Sequence, residues 1–510
     1  MRGIFAFSPT CLAIALWGLL IPLWNVGASL AMGLLCIVFL INTIKTKSFP
    51  HLKNPRSLAF LFFLISILIS TLFHFDSPSL NELKTILPFC LAPLLFSNQI
   101  FLEKKEITFI WSAIIVGASI SLLASICYGI FNHPLPDPRK ASFLISHIRL
   151  SLLASVLFFH TLTTRTFNRW VSFSIFFLSV SFLYITATIS GLAFFLIGTI
   201  IYLAHLKKLR LFLIITPLSL GAIAFFFSSS YFPSPVSSCH QSHSLNGEVY
   251  NENYSPLYSE NGYLTYSCIA PKELVRSWGL RTGRTLDEKD ERGQPLKETL
   301  IRYLTSRGLT KDEVGLSTLT DEDLNNIKKG YTNCNESSWG AVEKRAHQIH
   351  FEYCNFLSGG KSAGHSVFQR LYLYNITKDV LIKIPWGGIG VSNSKLLFEN
   401  EYARLELDKQ HMPNQPHNQF LTLWLNHGVF AFLFFLLALI ILFLRIKTTP
   451  YKVGATCFLG LFLASCLTED TLNSQPGVGI ATVFVLLYFF ILPNEQKASL
   501  AEENSPPPKL

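Results

Sequence analysis

The sequence predicts an all-α polytopic membrane protein with about twelve transmembrane helices. Three observations carry this expectation. Half of the 510 residues are apolar and only 15% are charged, against about 25% charged in an ordinary soluble protein. The mean hydropathy is +0.38. Apolar runs recur along the chain, many of them near the roughly 18 residues that cross a bilayer. This composition excludes a disordered chain, a collagen-like fibre and a small disulfide scaffold.

The runs fall near 8–24, 27–44, 57–73, 83–97, 107–131, 143–163, 170–186, 189–206, 211–228, 428–444, 453–468 and 477–492. Ser190-Gly191 marks the turn between the seventh and eighth, inside a stretch too long for one helix. The organisation that follows is a nine-span bundle over 1–228, a polar block over 229–416 and three more spans over 417–492. A disordered tail over 493–510 holds Pro506-Pro507-Pro508. The first run follows Met1-Arg2-Gly3 without a small-residue cleavage site, so it reads as a retained span.

Charge orients these spans. The chain has 42 Lys and Arg against 32 Asp and Glu, a net +10. Within 229–416 the two signs nearly balance, so the excess sits in short loops. That distribution speaks against nucleic acid as a partner and for the positive-inside rule. Loops after even-numbered spans carry groups such as Lys45, Lys47, Lys53 and Arg56, or Arg445, Lys447 and Lys452. Short loops after odd-numbered spans have only Arg139 and Lys140 as cations, beside Asp76, Glu82, Asp137, Glu469 and Asp470. Both termini are therefore expected in the cytoplasm, and the block 229–416 outside it.

The polar block reads as folded and mainly helical. Thr320 ahead of Asp321, Glu322 and Asp323, with Gly330 beyond, marks a capped short helix. Ser366–Ile384 spaces Val367, Leu371, Tyr374, Val380 and Leu381 as an amphipathic helix, able to lie on a membrane surface. Six of the ten cysteines lie in or near spans. The other four, Cys239, Cys268, Cys334 and Cys354, lie in the block, where an oxidising compartment allows disulfides. Three pairings are possible, and proximity favours Cys239–Cys268 with Cys334–Cys354. Zinc on Cys239, His240, His243 and Cys268 is the disfavoured alternative.

Span centres carry few ionisable residues, which argues against an ion-coupled transporter. Cations gather instead at outer span ends. Lys84 opens the fourth span, His147 and Arg149 open the sixth, and His417 precedes the tenth; Arg370 lies in the outer block. An outer-surface site with three cations and a histidine suits a lipid-linked anion, because guanidinium forks bind phosphate oxygens bidentately. Plainer readings stand beside this one. A histidine ahead of a span also caps a helix. Arg149 and Lys84 can snorkel, and Arg370 can contact headgroups. Gly387-Gly388-Ile389-Gly390 reads as a turn rather than a phosphate cradle. Glu469 and Asp470 read as a solvated rim that could meet an acceptor.

A wider pattern joins these residues. Arg370-Leu371-Tyr372-Leu373-Tyr374-Asn375 is followed by Ile384-Pro385-Trp386-Gly387-Gly388-Ile389-Gly390. Then come Pro416-His417-Asn418-Gln419-Phe420-Leu421, Asn426-His427-Gly428 and, after a span, Glu469-Asp470-Thr471-Leu472-Asn473-Ser474-Gln475-Pro476-Gly477-Val478. In this order the chain resembles the O-antigen ligase/polymerase superfamily, in its ligase-like branch. Ser146-His147-Ile148-Arg149 is compatible with that family's outer cationic position. The resemblance covers the span layout and the region after Arg370; Leu300–Gly330 matches no pattern of the family.

The resemblance implies a GT-C-like fold in a bacterial inner membrane, with a large periplasmic domain between spans nine and ten. It implies a glycosyltransferase that moves a glycan from undecaprenyl-diphosphate to a lipid A-core acceptor, amid membrane lipids. One-step attack predicts inversion, and neither metal nor cofactor is expected. His417 matches the functional histidine, which activates or positions the acceptor hydroxyl. Arg370 and Arg149 would hold the diphosphate; Lys84 and Asn418 complete the substrate-binding set. The family's Ser-Arg-Gly at the eighth span is Ser190-Gly191 here, without the arginine. An O-antigen polymerase or a protein O-oligosaccharyltransferase would share fold and cations. A transporter or lipid flippase is the rival from another class.

Overall fold

Helices dominate the chain because apolar, helix-compatible runs do. A computed structural model describes residues 7–47, 54–97, 100–132, 138–164, 166–207, 242–251, 259–357, 368–384, 386–404 and 414–494. By compactness the chain divides into two units, Met1–Phe212 with Leu373–Leu510, and Leu213–Tyr372.

The first unit begins with α1 (Pro9–Leu20), α2 (Asn25–Thr46), α3 (Pro55–Phe73), α4 (Ser77–Leu95), α5 (Lys104–Phe131), α6 (His147–Thr163), α7 (Arg169–Thr186) and α8 (Ile189–His205). Local chemistry sets several starts. Ser8 caps α1 ahead of Pro9, and the Asp76 carboxylate accepts from the Ser79 N–H at 2.7 Å to start α4. Glu103 and Glu106 form a capping box on α5. Pro88 and Pro93 interrupt the backbone bonding of α4.

The second unit holds α9 (Pro271–Thr282), α10 (Leu296–Ser306), α11 (Glu313–Ser317), α12 (Asp321–Lys328) and α13 (Ala341–Leu357). A short antiparallel pair joins β2 (Ser259–Glu260) to β3 (Tyr263–Leu264). Its core packs Trp278, Leu300, Tyr303, Leu304 and Ile327, all essentially inaccessible. The expected cap at Thr320 is present: its hydroxyl accepts from the Asp323 N–H at 3.2 Å, and Asp323 accepts from the Thr320 N–H at 2.8 Å. The boundary between the units falls within α14 (Phe368–Lys383).

The chain continues with α15 (Val391–Arg404), α16 (Gln419–His427), α17 (Val429–Leu444), α18 (Lys452–Thr468) and α19 (Gln475–Phe489). All of these pack with the first unit. There a parallel strip pairs β1 (Ile100–Leu102) with β4 (Ile491–Pro493). α19 is the central helix, and every residue from Gly477 to Phe489 is buried. A helix apolar all round has no face to give to water, so its neighbours enclose it. Phe60, Phe63, Phe89, Phe435 and Phe462 interlock edge to face and tilted beside it. By contrast, α2 leaves Val26, Leu30, Ile37, Ile41 and Ile44 exposed, and α17 leaves Phe430, Leu433, Leu437 and Ile440. Apolar stripes that long suit a lipid solvent, not water.

Asn25–Lys45, Lys104–Phe131, Arg169–Thr186 and Val429–Thr448 are long and apolar enough to cross a membrane, and six shorter apolar helices accompany them. The mainly helical expectation holds, and these four spans are compatible with a helical membrane protein. The expected run 211–228 lies outside the described residues, and the shorter helices do not by themselves reach spanning length, so twelve is not established. The unit boundary at 372 also differs from the expected 416. Leu373, Leu381, Phe398 and Tyr402 pack with Leu425 in one cluster, which draws α14 and α15 toward the first unit.

One cysteine expectation changes. Cys268 is disulfide-bonded, whereas Cys334 carries a free thiol. The near-neighbour pairing of Cys334 with Cys354 is therefore not made. The Cys334 sulfur packs instead 3.7 Å from the Ser306 carbonyl. Cys239 and the side chain of Cys354 lie outside the described residues.

Candidate functional site

α16 is nine residues long and carries polar motifs at both ends. Asn418 starts it: the side-chain oxygen accepts from the N–H groups of Phe420 and Leu421 at 3.1 and 3.2 Å. The Asn418 amide donates to the Leu467 carbonyl at 3.2 Å. Asn418 thus ties the helix start to the end of α18, and its polar atoms are spent on that task.

His417, just before it, has a φ of +56°. A non-glycine residue in this left-handed region costs roughly 1 kcal/mol or more and persists only when its surroundings hold it. Here its N–H donates to Asp470 Oδ2 at 3.0 Å, and the Tyr374 hydroxyl donates to its carbonyl at 3.3 Å. The imidazole is about one-third exposed. Its Nδ1 stands 3.4 Å from Glu469 Oε2 and 3.7 Å from Asp470 Oδ2. A carboxylate only accepts, so a ring facing two of them presents Nδ1–H and carries its basic lone pair on Nε2.

The two carboxylates are held in turn. The Thr422 hydroxyl donates to Asp470 Oδ1. Burial pushes the Asp470 carboxyl above its usual range, against the pull of His417, Thr422 and Arg149. Arg149 is buried at the start of α6, 5% exposed. Its guanidinium donates to the Asp470 carbonyl at 3.0 Å, and to the hydroxyls of Ser474, Ser465 and Thr471 at 3.3–3.5 Å. The segment 469–474 is therefore shaped by Arg149 from one side and by α16 from the other. Ser474 closes it by capping α19, accepting from the Gly477 N–H at 3.3 Å.

The glycine-rich turn grips the far end of α16. Ile389 and Gly390 donate their N–H groups to the carbonyls of Leu425 and Asn426 at 2.8 and 3.1 Å, and Val429 N–H reaches the Trp386 carbonyl at 3.3 Å. His74 Nε2 lies 3.1 Å from the Gly388 carbonyl. Only glycine fits at 388, where a Cβ would stand 2.4 Å from the Asn426 carbonyl oxygen. The turn is a backbone clasp, as its sequence suggested, and not a cradle for phosphate.

Lys84 lies on α4. It lines a cavity of about 280 Å³ with Trp17, Ile21, Met32, Pro88, Gln475 and Val478. Gln475 directly follows Ser474, so one loop borders both the cavity and the histidine. Arg370 is partly buried on the first turn of α14.

Of the expected residues, the structure brings His417, Asn418 and Arg149 together around one loop. The guanidinium of Arg149 is committed to that loop. Glu469 and Asp470, expected as a solvated rim, are instead the partners of the imidazole. Tyr374 and Thr422 were not singled out for the site. The adjacency of two acids at the mouth of the last loop was the available signal.

The polar cluster around His417 is set among buried apolar helices. The stretch that carries Arg370 and His417 then gives the relationship: residues 318–436 match the family model described as O-antigen ligase. This match supports the O-antigen ligase superfamily, whose members are glycosyltransferase-like ligases and polymerases. A comparison of the chain with curated proteins finds no match.

Proposed function

We propose that this protein is an O-antigen ligase-like glycosyltransferase. It moves a glycan from undecaprenyl-diphosphate to a lipid A-core acceptor, at the periplasmic side of a bacterial inner membrane. The observation that carries the reading is the His417 imidazole set against Glu469 and Asp470, inside the matched family segment.

The acceptor hydroxyl gives its proton to His417 Nε2 as its oxygen bonds to the anomeric carbon. The bond from that carbon to the diphosphate oxygen breaks, and its electron pair leaves with the diphosphate. Attack opposite the leaving group inverts the centre. Glu469 and Asp470 stabilise the imidazolium that forms, as an oriented carboxylate does for any catalytic histidine. Lys84, beside an apolar cavity, meets the negative headgroup while the cavity wall takes polyprenyl methylenes. Arg149 and Asn418 act as positioning residues, because their donors are engaged within the protein.

The test uses purified protein in lipid with a defined lipid-diphosphate glycan and lipid A-core. Wild type forms long-chain product and the His417→Ala variant does not; equal transfer by both removes His417 from the mechanism. Lys84→Ala is expected to raise the donor KM by about tenfold, the scale of one lost charge-assisted contact, with kcat nearly unchanged. In a deletion strain, long glycan retained on the carrier marks a ligase, and single repeats on lipid A-core mark a polymerase.

A further inference from the structure

Glu82 lies near the start of α4 and has no part in the transfer step just described. It is 7% exposed. Burying a carboxylate costs several kcal/mol unless donors surround it, and here they do. Asn426 Nδ2 donates to its two oxygens at 3.2 and 3.1 Å, and Asn473 Nδ2 donates to Oε1 at 3.1 Å. His427 Nε2 stands 3.4 Å from the same oxygen, and the other ring nitrogen lies 3.2 Å from the Ser70 hydroxyl. One carboxylate therefore joins α4, the C-terminal end of α16 and the loop 469–474, with α3 one contact further on.

The Asn473 link leads back to the histidine. Its side-chain oxygen accepts from Gln419 Nε2 at 3.1 Å, and Gln419 Oε1 accepts from the Leu472 N–H at 2.6 Å. Gln419 is two residues beyond His417. Both ends of the short helix α16 are thus fastened to one loop: the N-terminal end through Asp470 and Gln419, the C-terminal end through Glu82 and Asn473. His417 sits in a strained conformation that this fastening helps to sustain. We propose that Glu82 is a positioning residue for transfer, holding α16 and the 469–474 loop in the register that sets His417 against its two carboxylates. The proposal rests on the reading of His417 as the reactive base.

A residue that only supports the fold would change stability and leave kinetics alone. A positioning residue changes kcat, because a misplacement of about 1 Å can cost up to a hundredfold. The test compares Glu82→Gln, Asn473→Ala, Asn473→Asp, the double variant Glu82→Gln/Asn473→Asp and His417→Ala in the reconstituted transfer assay. Thermal midpoints are measured in parallel. Glu82→Gln and Asn473→Ala are expected to lower kcat about tenfold or more, with both KM values within about twofold and little change in midpoint. Asn473→Asp sets two carboxylates against each other and loses more. The double variant exchanges amide and carboxylate across the same contact, and is expected to recover kcat to within about threefold of wild type.

Wild-type kcat in Glu82→Gln or Asn473→Ala overturns the proposal. So does a folded double variant no better than its single parents. Should Glu82→Gln fail to fold, Asn473→Ala still decides, because it cuts the link and leaves Glu82 with Asn426 and His427. Full transfer by His417→Ala brings down the site reading itself. Loss in His417→Ala with wild-type kcat in Glu82→Gln brings down this proposal alone.

Discussion

Each unit of the molecule contains a histidine beside buried acid, and the two pairs are built differently. In the second unit, His347 Nε2 lies 2.7 Å from Glu260 Oε2. The other oxygen of Glu260 already takes both Nε and a terminal nitrogen of Arg302, at 2.7 and 2.6 Å. Burial would raise that carboxyl, but Arg302 and His347 override it and hold it at about 2. In the first unit, the arginine near the pair gives its hydrogen bond to the Asp470 backbone carbonyl rather than to either carboxylate. Two acids therefore face one imidazole with no guanidinium on their oxygens from Arg149. In one pair the guanidinium binds the acid itself; in the other it binds the backbone carbonyl of the acid. The first is an ion pair braced by arginine, and the second is the pair that the proposed transfer would use.

The largest effect that can break this contrast comes from removing each ring. His417→Ala is expected to cut kcat by about 10²–10⁴, the range for general-base catalysis. His347→Ala is expected to leave kcat within about twofold, and to lower only the stability of the second unit. Reconstituted transfer with both variants measures this. Comparable kinetic losses would mean that the two pairs are equivalent and that the distinction drawn from Arg302 and Arg149 is empty.

Acid separates the pairs next. The folded Glu260 carboxyl lies below its usual value, so its contribution to stability is complete above about pH 4.5 and is lost as pH falls toward about 2. The shift corresponds to about 3 kcal/mol. Asp470 has the opposite sign. Burial raises its folded value, so its contribution is present in acid and lost as pH rises through that value. Protonating it also removes a negative partner of His417. Transfer is thus expected to decline, on acidification, at a higher pH than the second unit unfolds. A pH–rate profile set against tryptophan fluorescence of the second unit, which holds Trp278 and Trp339, tests the order. Coincident loss would tie both events to global unfolding.

Much of this architecture was legible in the chain, and the remainder was hidden for physical reasons. Helical runs announce themselves by apolar length, so α2, α5, α7 and α17 fall where the sequence places them. His417 stood out through motif order. What could not be read was burial. Arg149 at a span end looks the same in sequence whether it faces a phosphate or a backbone carbonyl; only the fold of 465–474 around it decides. Glu469 and Asp470 resembled a rim, because the approach of α16 is a long-range contact. The apolar stripe of Leu373, Leu381, Phe398 and Tyr402 fits a membrane surface as well as a helix bundle, so the boundary at 372 was invisible. Cys334 and Cys354 are close in sequence, and closeness along a chain says little about sulfur geometry.

The smallest expected effect sharpens the comparison through two glycines. At Gly308 in the second unit, with φ +69°, an added Cβ would meet the ring of Tyr263, a side chain that can move. Gly308→Ala is expected to cost about 1 kcal/mol through backbone strain and to leave transfer unchanged. At Gly388 the added Cβ would meet the carbonyl group of Asn426 and the amide nitrogen of Gly428, all within 2.6 Å. Backbone cannot rotate away, so the clasp on α16 must open. Overpacking of this kind costs about 1–3 kcal/mol, and the opened clasp frees the helix that follows His417. Gly388→Ala is therefore expected to lower kcat as well as the thermal midpoint, while Gly387→Ala, with open space around its Cβ, changes neither. If Gly388→Ala lowers the midpoint and spares kcat, the clasp supports the fold without setting the histidine, and the two units differ less than their ion pairs suggest.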